Sequence, residues 1–567
     1  MPFRKLNLVD RCIDEVERLT VIVIGAGIAG IISGALLPAK LPGIELTIFE
    51  KNEDVSGTWH THTYPGVRCD IPAHIYQTSF EPNTQWSEEF ASGREIKEYW
   101  QHICRKYGVY DRLKLSHRVD GLDWDDEKGV WNVRVTNLKS AETFTCTADF
   151  VLTAVGRFNE WKMPDYPGMD KFEGLLRHTS DWDTNFDVSG KRVAVIGNGA
   201  SGIQVVTNIQ PLVKHLDHYA RNKTWISASF SGDTTSTKPK IIPAELKESF
   251  KDPAVYTKWR KELEDKYWRG FDGWLKGSER NMEFRKTIEE FMKEHSANKP
   301  ELLESLIPEY PPHCRRLTPG PGYLEAITSD NTAYIQTPIQ RVTKTGIQTV
   351  DGVLREVDAI FCATGANIDM VLSFPIRARG QELSALWKPG GDPGFPYTYL
   401  GAATPGFPNL LFVFGPNCGR GGSIPLSIET QVTFYAKILR KARREGIKSM
   451  APSRRAADDF VEYCNALFET TVLSENCSSW YNGGIPGGFV HGLWPGSGAH
   501  WGMILSEPRW EDWEYEYKGE GGNRLLWYFG RGITKKETDM SADMTPYIKD
   551  PAAIDLQNLH EDWWRTP

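Results

Sequence analysis

Residues 20–50 read TVIVIGAGIAGIISGALLPAKLPGIELTIFE. The β-branched run VIVI stops at Gly25, glycine recurs at Gly27 and Gly30, a helix-compatible segment follows, and a second run, ELTIF, ends on Glu50. In that order of strand, turn, helix and strand, G-x-G-x-x-G has a physical meaning. The first glycine makes the tight turn and the second lets a pyrophosphate approach the backbone. The third lets helix and strand pack closely, with the helix N-terminus facing the phosphates. Glu50 stands where an acid accepts hydrogen bonds from a ribose hydroxyl. The spacing alone is weak in a chain with 51 glycines. The flanking strands and the terminal acid make the stretch a dinucleotide site.

The pattern returns at 191–221, KRVAVIGNGASGIQVVTNIQPLVKHLDHYAR, with Gly197, Gly199 and Gly202 after the strand RVAVI. Here the second strand ends at Arg221, with Lys223 just beyond. A 2′-phosphate needs a cation at that tip and an acid would repel it, so the second unit is expected to prefer NADPH to NADH. The bland alternative is that both are solvated loop charges. Two such units predict a two-dinucleotide flavoprotein, with FAD in the first and NADPH in the second.

The expected fold class is therefore α/β, with two Rossmann-like domains, the NADPH domain inserted in the FAD domain, and a helical insert. ADFVLTAVGR (148–157) and VDAIFCATGA (357–366) read as apolar strands at the crossings between domains, and LLFVFGPN (410–417) as the return to the FAD domain. The boundaries that follow are 1–157 and 386–567 for the FAD domain with a Trp-rich tail, and 158–230 and 311–385 for the NADPH domain. The charged, aromatic stretch 231–310 reads as a helical insert over the active site.

Composition bounds the rest. The 567 residues are 40% hydrophobic and 25% charged, with a formal charge of −8, which argues against a nucleic-acid partner. The nine cysteines include no C-x-x-C pair. A disulfide framework, a zinc ribbon or a dithiol centre is not expected, and no metal site is predicted. The N-terminus MPFRKLNLVDRCIDEVERLT lacks the apolar core of a signal peptide, and no run of about 18 apolar residues exists. A cytoplasmic protein with no membrane partner is the expectation; the oligomeric state is left open.

Between the two units, FEGLLRHTSDWD (172–183) places Phe172, Gly174, His178, Trp182 and Asp183 as F-x-G-x-x-x-H-x-x-x-W-D. This resembles the fingerprint of type I Baeyer-Villiger monooxygenases, and a chance match is on the order of 10⁻⁴ per chain. Related N- and S-oxygenating flavin monooxygenases usually lack its final Trp-[PD]. Further stretches extend the resemblance over most of residues 20–500. SGTW (56–59), with Thr58 and Trp59, is similar to a G-G-T-W near the flavin. TYPGVRCD (63–70) is similar to the segment whose aspartate, here Asp70, lies near the flavin. HCRRL (313–317) resembles the pair whose second member, Arg316, is the active-site arginine, with Arg315 where a lysine often faces the NADP phosphate. SSWYNGGIPG (478–487) resembles the segment whose tryptophan, Trp480, contacts NADP. Departures are Ser56 for a glycine, Arg315 for a lysine, and GPGYLEA where many members have D-x-x-Y-Y.

The resemblance implies an NADPH- and FAD-dependent enzyme that inserts one atom of O₂ beside a ketone carbonyl through a C4a-peroxyflavin. Its partners would be O₂ and a small-molecule ketone. Arg316 would stabilise the anionic oxygen and Asp70 would hold Arg316. His178 is expected to be a hinge residue rather than a base. The alternatives are a flavin monooxygenase acting on sulfides or amines, a plain NADPH oxidase, and a nucleotide-binding protein without turnover.

Overall fold

The computed structural model describes residues 6–158, 160–227, 240–419, 422–518 and 523–559. The start of the expected insert, 231–239, and the end of the tail, 560–567, lie outside the described residues.

Two five-stranded parallel sheets carry the glycine turns. The first runs in the order Leu410–Phe412, Phe150–Thr153, Leu19–Ile24, Ile44–Glu50, Leu113–Leu115. The second runs Thr332–Ile335, His215–Tyr219, Arg192–Ile196, Ala359–Cys362, Leu175–His178. The second draws its strands from the sequence enclosed by the first, so one sheet is nested within the other along the chain. This α/β arrangement is the class that the paired turns predict.

Helices cover the sheets, so the central strands are apolar almost throughout instead of alternating. Leu19–Ile24 is buried nearly end to end, and Phe150–Thr153, Ala359–Cys362 and Leu410–Phe412 are wholly buried. The turn helix Ile28–Lys40 packs against the long helix Ile424–Glu445, which closes the first core from the far end of the chain. A third, mainly antiparallel sheet of His117–Asp125, Val130–Asn137 and Thr143–Ala148, extended by Ile376–Ala378 and Gln381–Glu382, flanks the first.

Residues 240–310 are helical, chiefly Pro253–Trp268 and Glu279–His295, capped by Asp252 and Ser278. In the tail, Trp513–Tyr517 pairs antiparallel with Ile447–Pro452, and the Trp527 carbonyl accepts a hydrogen bond of 2.8 Å from Arg11 Nη1. Leu175–His178, in the segment expected to be a connection, is instead the edge strand of the second sheet, with His178 in register with Cys362. Four residues ending in Arg-His offer too little alternation to read as a strand without the neighbour they pair with.

Candidate active site

At the first turn, Gly25 has φ +103°, and a Cβ there would stand 2.7 Å from the Ala154 carbonyl oxygen. A Cβ on Gly30 would lie 1.9 Å from the Gly25 oxygen, so only glycine fits. The helix Ile28–Lys40 has no side-chain cap and no acid in its first turn, leaving its N-terminal N–H groups to an anion. Residues 56–59 close over this turn. The Ser56 N–H donates to the Ala26 carbonyl at 3.0 Å, and a Cβ on Gly57 would stand 2.9 Å from Gly27 Cα. Ser56 adopts φ +88°, a left-handed value that favours glycine, the residue that stands here in the G-G-T-W that this stretch resembles. Trp59 is buried and donates from Nε1 to Tyr76 Oη at 3.3 Å, while Thr58 is exposed.

Glu50 is only 5% exposed. Its carboxylate accepts from the Ala26 N–H at 2.7 Å, the Asn52 N–H at 2.8 Å and Asn52 Nδ2 at 2.7 Å. A carboxylate has about four acceptor positions. One is taken by the glycine turn and two by Asn52, which fixes the carboxylate at the strand end.

The second turn repeats this geometry with a more open mouth. Gly197 has φ +107° and a Cβ there would meet the Ala363 oxygen at 2.4 Å, whereas a Cβ on Gly199 would face open space. The helix Ala200–Ile209 is likewise uncapped. Gly202 meets the same limit as Gly30, its Cβ falling 2.0 Å from the Gly197 oxygen. At the strand tip Arg221 is exposed and Lys223 half-buried. Tyr310, which sequence reasoning missed, donates to the Lys223 carbonyl at 2.9 Å, and its phenol, pushed up by burial, is opposed by the nearby Arg315 charge. Arg315 is thereby gathered to the same tip as Arg221 and Lys223. A single tyrosine far along the chain carries no local signal of this.

The loop 63–70 lies between the two turns. Tyr64 Oη donates to Gln204 Oε1 at 3.0 Å, and Gln204 Nε2 donates to the Arg68 carbonyl at 3.1 Å. Both contacts tie the loop to the helix Ala200–Ile209. The next residues reach Asp70, whose Oδ2 accepts from Arg316 Nε at 3.3 Å and Nη2 at 3.0 Å. The two side chains remain 33% and 38% accessible, so the pair is partly open to solvent. Burial pushes the Arg316 pKa down, but the Asp70 carboxylate and Tyr481 push it up, and the net shift is upward. Arg316 stays charged throughout the working pH range.

The Arg316 loop is bonded to the segment that carries Trp480 by a disulfide, Cys314–Cys477. This single pair corrects the expectation from cysteine spacing: its members are 163 residues apart, and only the fold brings them together. Trp480 begins a short helical turn capped by Ser479, and the Arg157 guanidinium lies 5.4 Å from its ring centroid. His313 sits between Trp274 and Phe284, with centroids 5.6 and 5.1 Å away, so the helical region 240–310 reaches the arginine loop through an aromatic stack.

Residues 23–92 match the NAD(P)-binding Rossmann-like domain family. Over 94% of its length the chain is 32% identical to the FAD-binding monooxygenase tazF of Aspergillus terreus, covering 95% of that protein. It is also 32% identical to a Baeyer-Villiger monooxygenase of Pseudomonas aeruginosa, with 84% of this chain and 87% of that one aligned. The chain belongs to the Baeyer-Villiger monooxygenase family. Among solved structures, a closed form of cyclohexanone monooxygenase superposes with a TM-score of 0.75 at 25% identity, covering 89% of this chain and all of the other. A steroid monooxygenase bound to NADP superposes at 0.73 with 26% identity, over 88% of this chain and all of that one.

In this Baeyer-Villiger monooxygenase the motif 172–183 is built as packing. A Cβ on Gly174 would stand 2.4 Å from the Asp358 oxygen, and Phe172 packs on the second sheet. Trp182 stacks on Phe361 with centroids 4.2 Å apart, and Asp183 Oδ1 accepts from the Asn185 N–H at 2.9 Å, closing a turn. His178, 1% exposed, lies flat on Trp161 at 4.9 Å and accepts at Nδ1 from the Ser180 N–H at 3.0 Å. Burial pulls its pKa down to about 4, so the ring is neutral. Ser180 Oγ in turn meets His62 Nε2 at 3.1 Å, linking the motif to the loop that closes the first turn.

Proposed function

We propose that this monooxygenase uses FAD and NADPH to insert one oxygen atom of O₂ beside a ketone carbonyl, yielding an ester or lactone. The observation that carries the reading is the partly exposed Arg316–Asp70 pair, on a loop tied to the second of two uncapped glycine-turn helices. The residues present fit both cofactors. Gly25, Gly27 and Gly30 leave no side chain between the first helix N-terminus and a pyrophosphate, with residues 56–59 packed beside them. Gly197, Gly199 and Gly202 do the same at the second turn, where Arg221, Lys223 and Arg315 supply charge for a 2′-phosphate. Trp480 would face the nicotinamide side. We assign 1–157 and 386–567 to the FAD domain and 158–230 and 311–385 to the NADPH domain, with 231–310 between the two parts of the latter.

Bound FAD, reduced by NADPH, supplies the carbon at which O₂ is activated. The chain supplies electrostatics. An always-charged guanidinium stabilises the negative charge that develops on oxygen as the carbonyl is attacked. Asp70 holds that guanidinium in place. One preorganised donor of this kind is worth on the order of 10²–10³ in rate. His178, neutral and packed flat, orients the edge strand and moves no proton.

Arg316→Ala should therefore lower ester formation on the order of 10²–10³-fold while FAD stays bound. The check is product analysis after incubation with a cyclic ketone and a thioether. Sulfoxide without ester from the parent enzyme, or an unchanged ester yield in Arg316→Ala, would overturn the reading.

A further inference from the structure

Just past the strand Phe150–Thr153 stands an arginine that the proposed reaction does not use. Arg157 is half-buried, and all its hydrogen bonds go to backbone carbonyls. Nε donates to Phe414 at 3.3 Å, Nη1 to Gly492 at 2.6 Å and Nη2 to Gly415 at 2.7 Å. Among the described residues it has no carboxylate partner. We propose that Arg157 recognises an anionic group of the substrate, so that the preferred ketone is one that carries a carboxylate. The proposal rests on the functional reading above.

Three neutral carbonyls hold the cation without neutralising it. A charge withdrawn from water costs free energy unless an opposite charge meets it. Desolvation pulls the Arg157 pKa down only to about 10, so the group is charged at neutral pH. A guanidinium has five N–H donors, and the three carbonyls leave one on each terminal nitrogen, a match for the two oxygens of a carboxylate. The orientation is fixed in advance. The carbonyls belong to two separate segments, and a Cβ on Gly419 would stand 3.0 Å from Nη1. The Phe414 and Trp480 rings lie beside the guanidinium, with centroids 4.4 and 5.4 Å from its carbon.

The place of Arg157 assigns the anion to the substrate. Ligands of an open α/β sheet bind at the carboxyl ends of its strands, and Arg157 follows such an end. Three residues before it, the Ala154 carbonyl packs on Gly25 of the first turn. On its other side, Trp480 belongs to the segment whose Cys477 is bonded to Cys314, two residues before Arg316. The cofactor phosphates have places of their own. The two uncapped helices suit the pyrophosphates, and Arg221, Lys223 and Arg315 suit a 2′-phosphate. Arg157 is left for a charge that no phosphate brings.

The probes are linear methyl-ketone carboxylates, from levulinate to oxodecanoate, each paired with its methyl ester. They are titrated calorimetrically into the oxidised holoenzyme saturated with NADP⁺, where no turnover occurs. At the best chain length the carboxylate should bind at least about tenfold tighter than its ester, the scale of one hydrogen bond to a charged group. Arg157→Gln keeps an amide donor for one carbonyl and removes the charge. It should bring the two affinities within about twofold while FAD content and melting temperature hold. Equal binding of acid and ester across the whole series, or a preference that persists in Arg157→Gln, would overturn the proposal. Arg316→Ala is an arm that does not depend on how Arg157→Gln folds. The preference should survive there, and its loss would assign the carboxylate to Arg316 and overturn the proposal. A lower flavin midpoint potential in Arg157→Gln, with the preference intact, would overturn it too by assigning the cation to the reduced flavin. Absence of ester from the parent enzyme with any ketone would instead count against the functional reading, and the titration would still decide for or against Arg157.

Discussion

In the first unit the second strand ends on Glu50, buried and accepting one N–H bond from the glycine turn and two from Asn52. In the second unit the equivalent strand runs out to Arg221 in solvent, with Lys223 and Arg315 gathered nearby through Tyr310. The turns themselves are nearly superimposable in logic: a left-handed glycine, a glycine at the helix start, and a glycine whose Cβ would strike the first one's carbonyl. What differs is the closure. The first is sealed by residues 56–59, whereas Gly199 faces open space. The same backbone chemistry is thus closed over in one unit and open in the other.

The largest way to break the comparison is acid. No strand of the first parallel sheet contains histidine, while the second buries His178 and His218, both pushed down to about 4 by desolvation. The folded pKa of each is depressed, so the unfolded chain takes up the proton first. Their neutral state is stabilising above the unfolded value of about 6.5, and that stability is lost as pH falls toward 4. Between pH 7 and 5 each should cost on the order of 2 kcal/mol. Amide hydrogen exchange, corrected for intrinsic rates, should show Arg192–Ile196 and His215–Tyr219 losing protection at pH 5 while Leu19–Ile24 and Ile44–Glu50 keep theirs. Parallel loss in both sheets would remove the histidines as the cause.

The charge at the tips gives a smaller effect. Arg221→Ala should raise the KM for NADPH about tenfold and leave that for NADH nearly unchanged, since only the 2′-phosphate uses the cation. Steady-state kinetics with both cofactors decides it. Equal changes would mean that Arg221 is a solvated charge and that Arg315 or Lys223 carries the contact.

Both turns and the sign of each tip were legible because strand, glycine spacing and terminal charge all lie within about 30 consecutive residues. The Arg316–Asp70 pairing was legible only through resemblance: its partners are 246 residues apart, and no periodicity joins them. The same holds, without even a motif, for Tyr310 with the Lys223 carbonyl and for the Cys314–Cys477 bond. Glu50 shows the converse limit. Its position marks it for a ribose, and only the fold shows that Ala26 and Asn52 also donate to its carboxylate. His178 was read as a hinge residue on a linker; its strand could not be read, since an edge strand of four residues is defined by its neighbour.

The finest test concerns the seal over the first turn. Ser56 holds φ +88°, a value that costs a non-glycine residue roughly 1–2 kcal/mol. Glycine would relieve that strain but add backbone entropy to the unfolded chain, offsetting roughly 0.5–1 kcal/mol of the gain. The serine hydroxyl contributes little against this, its only hydrogen bond among the described residues being a long 3.4 Å one to the Lys97 carbonyl. Ser56→Gly should therefore be neutral to stabilising by up to about 1 kcal/mol. Ser56→Ala keeps the strain, loses the hydroxyl, and should be slightly destabilising. Thermal melts of the two holo variants separate the causes. If glycine and alanine destabilise alike, the hydroxyl matters and the dihedral does not. If glycine alone stabilises, the closed first unit carries a removable strain at its cofactor loop, in a backbone conformation that has no counterpart at the open second turn.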